Sequence, residues 1–345
     1  MSSTALSSVF SRVPATGLFW KKTRARLVVR GSDAKDFLHR MSTQHCSSMG
    51  VGEARLNAFT NKQGRLIDVV QQVQVSEDEI LLLSTLPSAN ILREWLETFI
   101  FVEDVTFAAV SNPEATWLVA GDAGQTLVAA WLGAAGEVSL GPWEMQRSAD
   151  GMAVRGFDLE GDKGEPVPCY WLFGDAGHPR NEERFFTGAG LQRADDDTYE
   201  NLRIAAGVPE SPGEVSDRFN PLELQLHDAI HWDKGCYIGQ EVIARIDNYG
   251  KQSRWIVGVV FEELPQQVPE LGAKLRTRNQ DGQWQETGAL TSVAPAQNLG
   301  SPCALAWCKT KDFSPSMHAE LVLDGKSLPV RLVQRLAAQL PADPS

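Results

Sequence analysis

The chain has 345 residues, of which 43% are hydrophobic and 22% are charged, a composition typical of a globular protein with two or three domains. No apolar run is long enough to cross a bilayer, so a membrane role has no support. The net charge of −12 argues against broad nucleic-acid binding, which depends on Lys and Arg neutralising phosphates. Direct binding of tRNA would need a local basic patch and is not favoured.

One basic patch lies near the N-terminus, where no acidic residue precedes Asp33. We interpret it as a solvated basic arm, made of Lys21, Lys22, Arg24, Arg26 and Arg30. The acid-free, Ser-containing start faintly resembles an organellar transit peptide, but it runs directly into a predicted strand at 27–29. We therefore expect a cytoplasmic protein.

The elements up to residue 250 predict two α/β modules. Ser32 and Asp33 precede an apolar spacing that is typical of a capped amphipathic helix. The other predicted strands are 66–75, 79–85, 116–120, 152–159 and 170–173, and the other predicted helices are 87–99, 125–132 and one ending near Gly207. The acidic run 195–197 and the segment 210–221 are predicted to be loops.

The pattern changes beyond Tyr249 to short strands at 255–261, 287–293 and 321–323, separated by Gly, Pro, Asn and Asp. This pattern is typical of a small β-barrel. We therefore predict a region of two intertwined α/β modules over 1–250 and a barrel domain over 251–345.

The five cysteines are too sparse and irregular for a disulfide framework, and no C-x-x-C pair suits zinc. A reducing compartment follows. Cys303 and Cys308 lie in an apolar stretch that predicts a buried strand. His227 and His231 are four residues apart, but the residues around them favour a turn, so no metal site is predicted.

Residues 234–241 have the sequence KGCYIGQE, which favours a chemical site. A thiol beside an ammonium or near a helix start ionises more readily, and glycines permit tight turns and close approach. We predict that Cys236 is reactive and that Lys234 favours its thiolate; a buried structural cysteine is the alternative. The motif lies just before the barrel, near an expected interdomain surface.

This motif, followed by Ala244 and Arg245, resembles the YgfZ family of folate-binding proteins, which are relatives of the glycine-cleavage aminomethyltransferases. Supporting matches lie at 31–34, 61–65 and 203–209. The resemblance implies an α+β fold with two α/β (ferredoxin-like) modules and a C-terminal antiparallel β-barrel. These would surround a central channel for tetrahydrofolate or a one-carbon derivative. It also implies a role in the assembly or repair of iron–sulfur enzymes, including tRNA-modifying ones, with those enzymes or assembly proteins as partners.

The same resemblance implies roles for individual residues. Cys236 would be a nucleophile or a transient sulfur or iron ligand, acting with Lys234. Gln240 and Glu241 could hold the motif loop, while Arg245 could pair with Glu241 or, like Arg203, reach the glutamate tail of a folate. The predicted folate-binding set is Asn61, Gly64, Asp68, Arg203, Gly235, Tyr237, Gly239, Gln240, Glu241 and Arg245.

Two other functions stay open. Asp68 is either a strand-end carboxylate or the remnant of the acidic pair of the aminomethyltransferases, and Ile67 stands where those enzymes carry the second acid. A glycine-cleavage aminomethyltransferase is therefore one alternative, which glycine-dependent one-carbon transfer would distinguish. The other is a folate-independent scaffold that binds a protein or tRNA through the barrel and the basic arm.

Overall fold

The computed structural model describes residues 12–110, 116–136, 138–174, 177–250, 252–279, 281–295 and 302–334. Within these ranges the chain forms two α/β modules and a closed antiparallel barrel, which confirms the predicted fold class. Parts of both predicted domain ranges, including 1–11 and 335–345, lie outside the described residues. No helix in the described part of the chain is long and apolar enough to span a membrane.

The first module is a five-stranded sheet with two helices, and its strand order is β3-β4-β5-β2-β6. The chain begins with β1 (Leu18–Lys21), which belongs to the second sheet, and continues with β2 (Ala25–Arg30), α1 (Ala34–Met41), β3 (Ala54–Thr60), β4 (Leu66–Ser76), β5 (Glu79–Ser84), α2 (Ala89–Glu97) and β6 (Thr106–Ala109). The apolar residues of α1 and α2 pack on one face of this sheet, as their helical spacing predicts.

The start of α1 differs from the prediction in one detail. Asp33 is the N-cap, without a side-chain capping bond. Ser32 instead donates from its amide and its hydroxyl to the Asp104 carboxylate, at 3.1 and 3.0 Å. The predicted side-chain cap is therefore not formed by either residue, because the Ser32 hydroxyl donates to Asp104 in the loop before β6.

The second module is a six-stranded sheet with the order β13-β1-β7-β12-β9-β8. Its elements are β7 (Thr116–Ala120), α3 (Gly124–Trp131), β8 (Met145–Arg147), β9 (Met152–Arg155), the hairpin β10 (Leu159–Glu160) and β11 (Pro166–Val167), β12 (Cys169–Phe173), α4 (Glu183–Gly188), β13 (Gln192–Arg193) and α5 (Asp196–Ala206). The N-terminal strand β1 lies between β13 and β7, so the two modules share the start of the chain.

The acidic run at 195–197, predicted to be a loop, forms the start of α5. Asp195 is the N-cap, and its Oδ1 accepts from the amide and the hydroxyl of Thr198 at 2.9 and 2.7 Å. Acidic groups favour a helix N-terminus because they satisfy free amides and complement the helix dipole. The helix ends at Gly207 in a left-handed conformation, φ +75°, as predicted.

The C-terminal part consists of α6 (Gln240–Asn248) followed by the barrel strands β14 (Arg254–Phe261), β15 (Lys274–Arg278), β16 (Trp284–Val293), β17 (Pro302–Lys309), β18 (Met317–Leu323) and β19 (Lys326–Val333). The barrel order is β14-β17-β16-β15-β18-β19, and pairing of β14 with β19 closes it. Cys303 and Cys308 are buried in β17, which confirms their structural interpretation.

A shared core joins the two sheets. Val73 and Leu83 of the first sheet lie in one buried cluster with Trp20, Leu118 and Trp171 of the second. Burying such side chains stabilises the fold by about 1.5–3 kcal/mol each. This packing brings β2 and β5 of the first module close to β12 of the second.

Candidate functional site

The motif loop exposes a single thiol. Cys236 is exposed, whereas Cys46, Cys169, Cys303 and Cys308 are buried, and all five are free. The alternative of a buried structural cysteine at this position is therefore wrong. Since exposure is a condition for reactivity at a cysteine, Cys236 is the thiol that a reagent or partner reaches first.

Lys234 does not serve Cys236 in the way the sequence suggests. Its ammonium is buried and donates to three backbone carbonyls, those of His39, Ser42 and Gln44. Burial lowers the pKa of Lys234 to about 8, and the nearby thiol that opposes this shift is the buried Cys46. The predicted role of Lys234 is corrected: adjacency in sequence does not fix side-chain direction, and this ammonium fastens the motif to the end of α1.

Tyr237, the next predicted site residue, also has a structural role. Its ring is buried and lies 5.0 Å from the Lys234 ammonium, a favourable cation–π distance. Burial raises the pKa of its hydroxyl to about 12. Tyr237 therefore anchors the loop that carries Gly235 and Cys236 to the surface.

The structure brings Asn61, Gly64 and Gly239 together, as a predicted site would require. Gly239 precedes α6 with φ +86°, and a Cβ there would lie 2.6 Å from the carbonyl oxygen of Asn61. Thr60 Oγ1 donates to the Ile238 carbonyl at 2.7 Å. The Asn61 side-chain oxygen accepts from the amides of residues 63 and 65. Asn61 therefore stabilises the 61–65 turn, and this turn packs against the motif.

Gln240, Glu241 and Arg245 lie in α6, Gln240 and Glu241 in its first turn. Glu241 and Arg245 are both exposed. Among the salt bridges of the described residues none joins them, so the suggested i, i+4 pair is not formed.

Three histidines contact one another beside the motif loop, where His39 lies next to Gly235; the sequence did not predict that they meet. The ring centroids of His39 and His45 are 4.6 Å apart, and those of His45 and His231 are 5.0 Å apart. Burial and the nearby Lys234 lower the pKa of His39. No group of three or more His, Cys, Asp or Glu side chains in the described ranges has a metal-binding arrangement.

Asp68 is a fully buried residue of β4, and its side chain bonds to Ser84 at the end of β5 and to Thr85 after it. Its carboxylate accepts from the Ser84 hydroxyl, from the Thr85 hydroxyl at 2.8 Å and from the Thr85 amide at 3.2 Å. Burial raises the pKa of Asp68 to about 6, and these hydrogen bonds limit the rise. A carboxyl group that titrates near neutral pH is a feature of functional sites.

A cavity of about 460 Å³ begins at the two hydroxyls that bind Asp68. It lies between β2, the start of α2, Trp171 of β12 and the loop after α5; its polar lining includes Lys22, Thr23, Arg24, Ser84, Thr85, Ser88, Asn90, Glu210 and Ser211. Glu210 accepts from the Tyr199 hydroxyl and lies 3.8 Å from Arg24. The segment containing Glu210 was predicted only as a loop, and neither Glu210 nor Trp171 has a sequence signal of its own.

The basic residues at 21–30 do not form one solvated arm: Lys21 and Arg30 are exposed, but Lys22, Arg24 and Arg26 are partly buried. Arg24 and Arg26 lie over the rings of Trp171 and Phe173, at 4.9 and 5.3 Å from the ring centroids. Lys22 lies 4.2 Å from the Tyr199 ring centroid. The prediction is wrong because β1 and β2 place these side chains between the two modules, where they stack on aromatic rings.

Arg203 is engaged within the protein. Its guanidinium binds Glu200 at 2.6 Å, lies 3.6 Å from the buried Glu214 and donates to Ser292 of the barrel at 3.2 Å. These contacts occupy the carboxylate-binding capacity that the sequence assigned to a folate tail. Arg203 therefore links α5 to the barrel.

Comparison with solved structures identifies the fold of this chain. The chain aligns with aminomethyltransferase T of the glycine cleavage system from Bartonella henselae with a TM-score of 0.74, covering 95% of this chain and 87% of that chain at 16% identity. The fold is that of an aminomethyltransferase. Residues 13–144 also match the family model of the GCVT N-terminal domain.

Relatives that match this chain over most of their length are distant in sequence. An uncharacterised protein of Haemophilus influenzae is 24% identical over 92% of this chain and 99% of its own length. An aminomethyltransferase of Saccharopolyspora erythraea is 24% identical over 92% of this chain and 86% of its own length. The narrower YgfZ assignment stays a prediction.

Proposed function

We propose that this chain binds a reduced folate, tetrahydrofolate or a one-carbon derivative, in the 460 Å³ cavity between β2, α2 and β12. The cavity is the observation that carries the proposal. Its volume lies within the range of about 300–1,000 Å³ that is typical of small-molecule sites. It lies between the two modules of an aminomethyltransferase fold.

The residues of the cavity fit a pterin ring. The Glu210 carboxylate supplies acceptors for the N–H groups of the pterin edge, and Trp171 supplies an aromatic wall. Ser84 and Thr85 add hydroxyls whose orientation is fixed by Asp68. A bound folate would supply the carrier chemistry for a one-carbon unit, while these side chains bind and orient it.

We assign the exposed Cys236 a separate role, in support of iron–sulfur enzymes, including those that modify tRNA. The resemblance of the KGCYIGQE motif to YgfZ proteins suggests it. The geometry supports it because the thiol is exposed on a loop fixed by Lys234 and Tyr237. A cytoplasmic, reducing location belongs to the same proposal.

Anaerobic titration calorimetry with tetrahydrofolate tests the first part. We expect saturable binding to the wild type and to Cys236→Ala, because the thiol is not among the cavity-lining residues. Replacing the cavity wall in Trp171→Ala should weaken binding. Absence of binding to the wild type would contradict the folate proposal.

The role of Cys236 is tested separately in cells that lack this protein. Activities of iron–sulfur enzymes should be restored by the wild type and by the exposed-serine control Ser47→Ala, and not by Cys236→Ala. Equal restoration by both variants would overturn the assigned role of the thiol.

An aminomethyltransferase is the second candidate, favoured by the full-length match to such an enzyme and by the buried Asp68 beside the cavity. Glycine-dependent transfer of a one-carbon unit to tetrahydrofolate, abolished in Asp68→Asn, would support it. Binding without transfer supports the accessory role.

A further inference from the structure

A second cavity, of about 310 Å³, has an aromatic corner in its wall. Trp143 and Phe157 both line it, and their rings meet edge to face, with centroids 4.7 Å apart and an interplanar angle of 90°. Both side chains also pack against a buried cluster that contains Leu56 of the first module and Ile256 of the barrel. This packing restricts the rings, so the corner is formed before a ligand binds.

The backbone of this wall is strained at two positions. The Glu144 amide donates to the Gly141 carbonyl at 3.1 Å and closes a four-residue turn in which Trp143 is third, with φ +62°. Gly is the usual residue at such a position, since a bulky side chain there is strained. Gln225, also in the wall, has φ +53°. These are two of the four non-glycine residues with positive φ in the described part of the chain, and strained residues cluster at functional sites.

The charged side chains of this second cavity are acidic. Asp158 and Asp228 line it, and its described lining contains no Lys or Arg. Arg155, outside the lining, binds Asp158 at 2.9 Å and offsets part of its charge, whereas Asp228 is exposed and lies at the open side. The cavity proposed for folate differs, since Lys22 and Arg24 line it. The second cavity therefore repels an anion such as folate and attracts a cation.

We infer that the second cavity binds an organic cation with an apolar body, of the class of alkylated ammonium ions. An aromatic face attracts such a cation through the ring quadrupole, and Trp attracts it more strongly than Tyr or Phe. The carboxylates add charge attraction, and the apolar side chains of Leu56, Pro142 and Leu226 contact the alkyl groups. The two described linings share no residue, so this site is separate from the proposed folate cavity and the inference goes beyond the folate proposal.

Titration calorimetry with choline and with neohexanol, in which an uncharged tert-butyl group replaces the trimethylammonium group, tests the inference. For the wild type we expect choline to bind about tenfold more tightly or better, because it alone has the charge that the ring and the carboxylates attract. This ratio of Kd values should fall about threefold or more in Trp143→Leu, which keeps an apolar wall, and about twofold in Asp228→Asn, which keeps the shape. Because Asp228 is exposed, its variant tests the inference even if Trp143→Leu does not fold.

Trp284→Leu and Asp122→Asn are the matched controls, since Trp284 lies in the barrel, Asp122 is exposed, and neither is among the residues that line the second cavity. Both should keep the wild-type ratio. Equal affinities of the two ligands for the wild type, no binding of choline, or an unchanged ratio in a folded cavity variant would overturn the inference. Displacement of bound tetrahydrofolate by choline would also overturn it, because the two ligands would then share one cavity. The folate proposal depends on none of these results.

Discussion

Asp68 and Lys234 show which properties of a single residue can be predicted from sequence and which cannot. The resemblance to the acidic pair of the aminomethyltransferases marked Asp68 as a candidate. Its burial and its bonds to Ser84 and Thr85 depend on the pairing of β4 with β5, which sequence does not specify. Lys234 was assigned to its neighbour Cys236, yet its ammonium reaches the end of α1. The sequence marked these two residues as candidates, but it could not predict the direction of their side chains.

The raised pKa of Asp68 predicts a pH-dependent stability. An aspartate in the unfolded chain ionises near pH 3.9, whereas folded Asp68 keeps its proton up to about pH 6. Its stabilising contribution is therefore present below about pH 4 and lost as the pH rises through about 6. Relative to the wild type, Asp68→Asn should gain about 2–2.5 kcal/mol in free energy of unfolding between pH 4 and pH 7.5.

Urea denaturation at the two pH values measures this change, with substitution of the exposed Asp122 by Asn as the control. A stability difference between Asp68→Asn and the wild type that stays constant over this range would show that Asp68 titrates normally.

At the scale of elements, the start of α6 is fixed by its contact with the 61–65 turn. The sequence singled out Gly64 and Gly239, and the structure shows that they serve a close approach of two backbones. Errors arose where a charged segment was interpreted without its neighbours: the acidic run forms the start of α5, and Arg24 and Arg26 stack on the rings of Trp171 and Phe173 in β12. Such outcomes depend on tertiary packing, which local patterns do not contain.

Gly239→Ala tests the contact between the turn and α6. A Cβ at Gly239 would lie 2.6 Å from Asn61 O and from Thr60 Oγ1, whereas one at Gly250, φ +56°, meets nothing within 4 Å. Both substitutions carry the cost of a left-handed conformation, so Gly250→Ala is the matched control. We expect Gly239→Ala to lose about 1–3 kcal/mol more free energy of unfolding.

The loosened loop should also make Cys236 react faster with a thiol reagent, because local opening exposes it more often. Equal effects of the two substitutions on stability and on thiol reactivity would contradict the proposed contact.

At the scale of the whole molecule, the barrel is joined to the α/β modules through buried polar contacts. Arg203 and Glu214 meet on the side of α5, and Ser292 of β16 binds both, donating to Glu214 at 2.7 Å. The sequence could predict the barrel and its position after the motif. The sequence could not predict that Arg203 would join the barrel to α5.

Arg203→Met should therefore destabilise the fold strongly, by about 3–5 kcal/mol, since it leaves the Glu214 charge buried without its partner. Arg184→Met is the control, because Arg184 is 83% exposed and pairs with Glu182 at the surface, where such pairs contribute about 0–1 kcal/mol. Urea denaturation compares them, and similar small losses in both variants would refute the joining role of Arg203.

A crystal structure of the complex with tetrahydrofolate would test the central claim most directly. We predict ligand density in the 460 Å³ cavity, with the pterin against Trp171 and its N–H edge facing Glu210. The chain has a second cavity of about 310 Å³, lined by Trp143, Phe157 and Asp228. Ligand density in that cavity instead, with the first one filled only by solvent, would contradict the account.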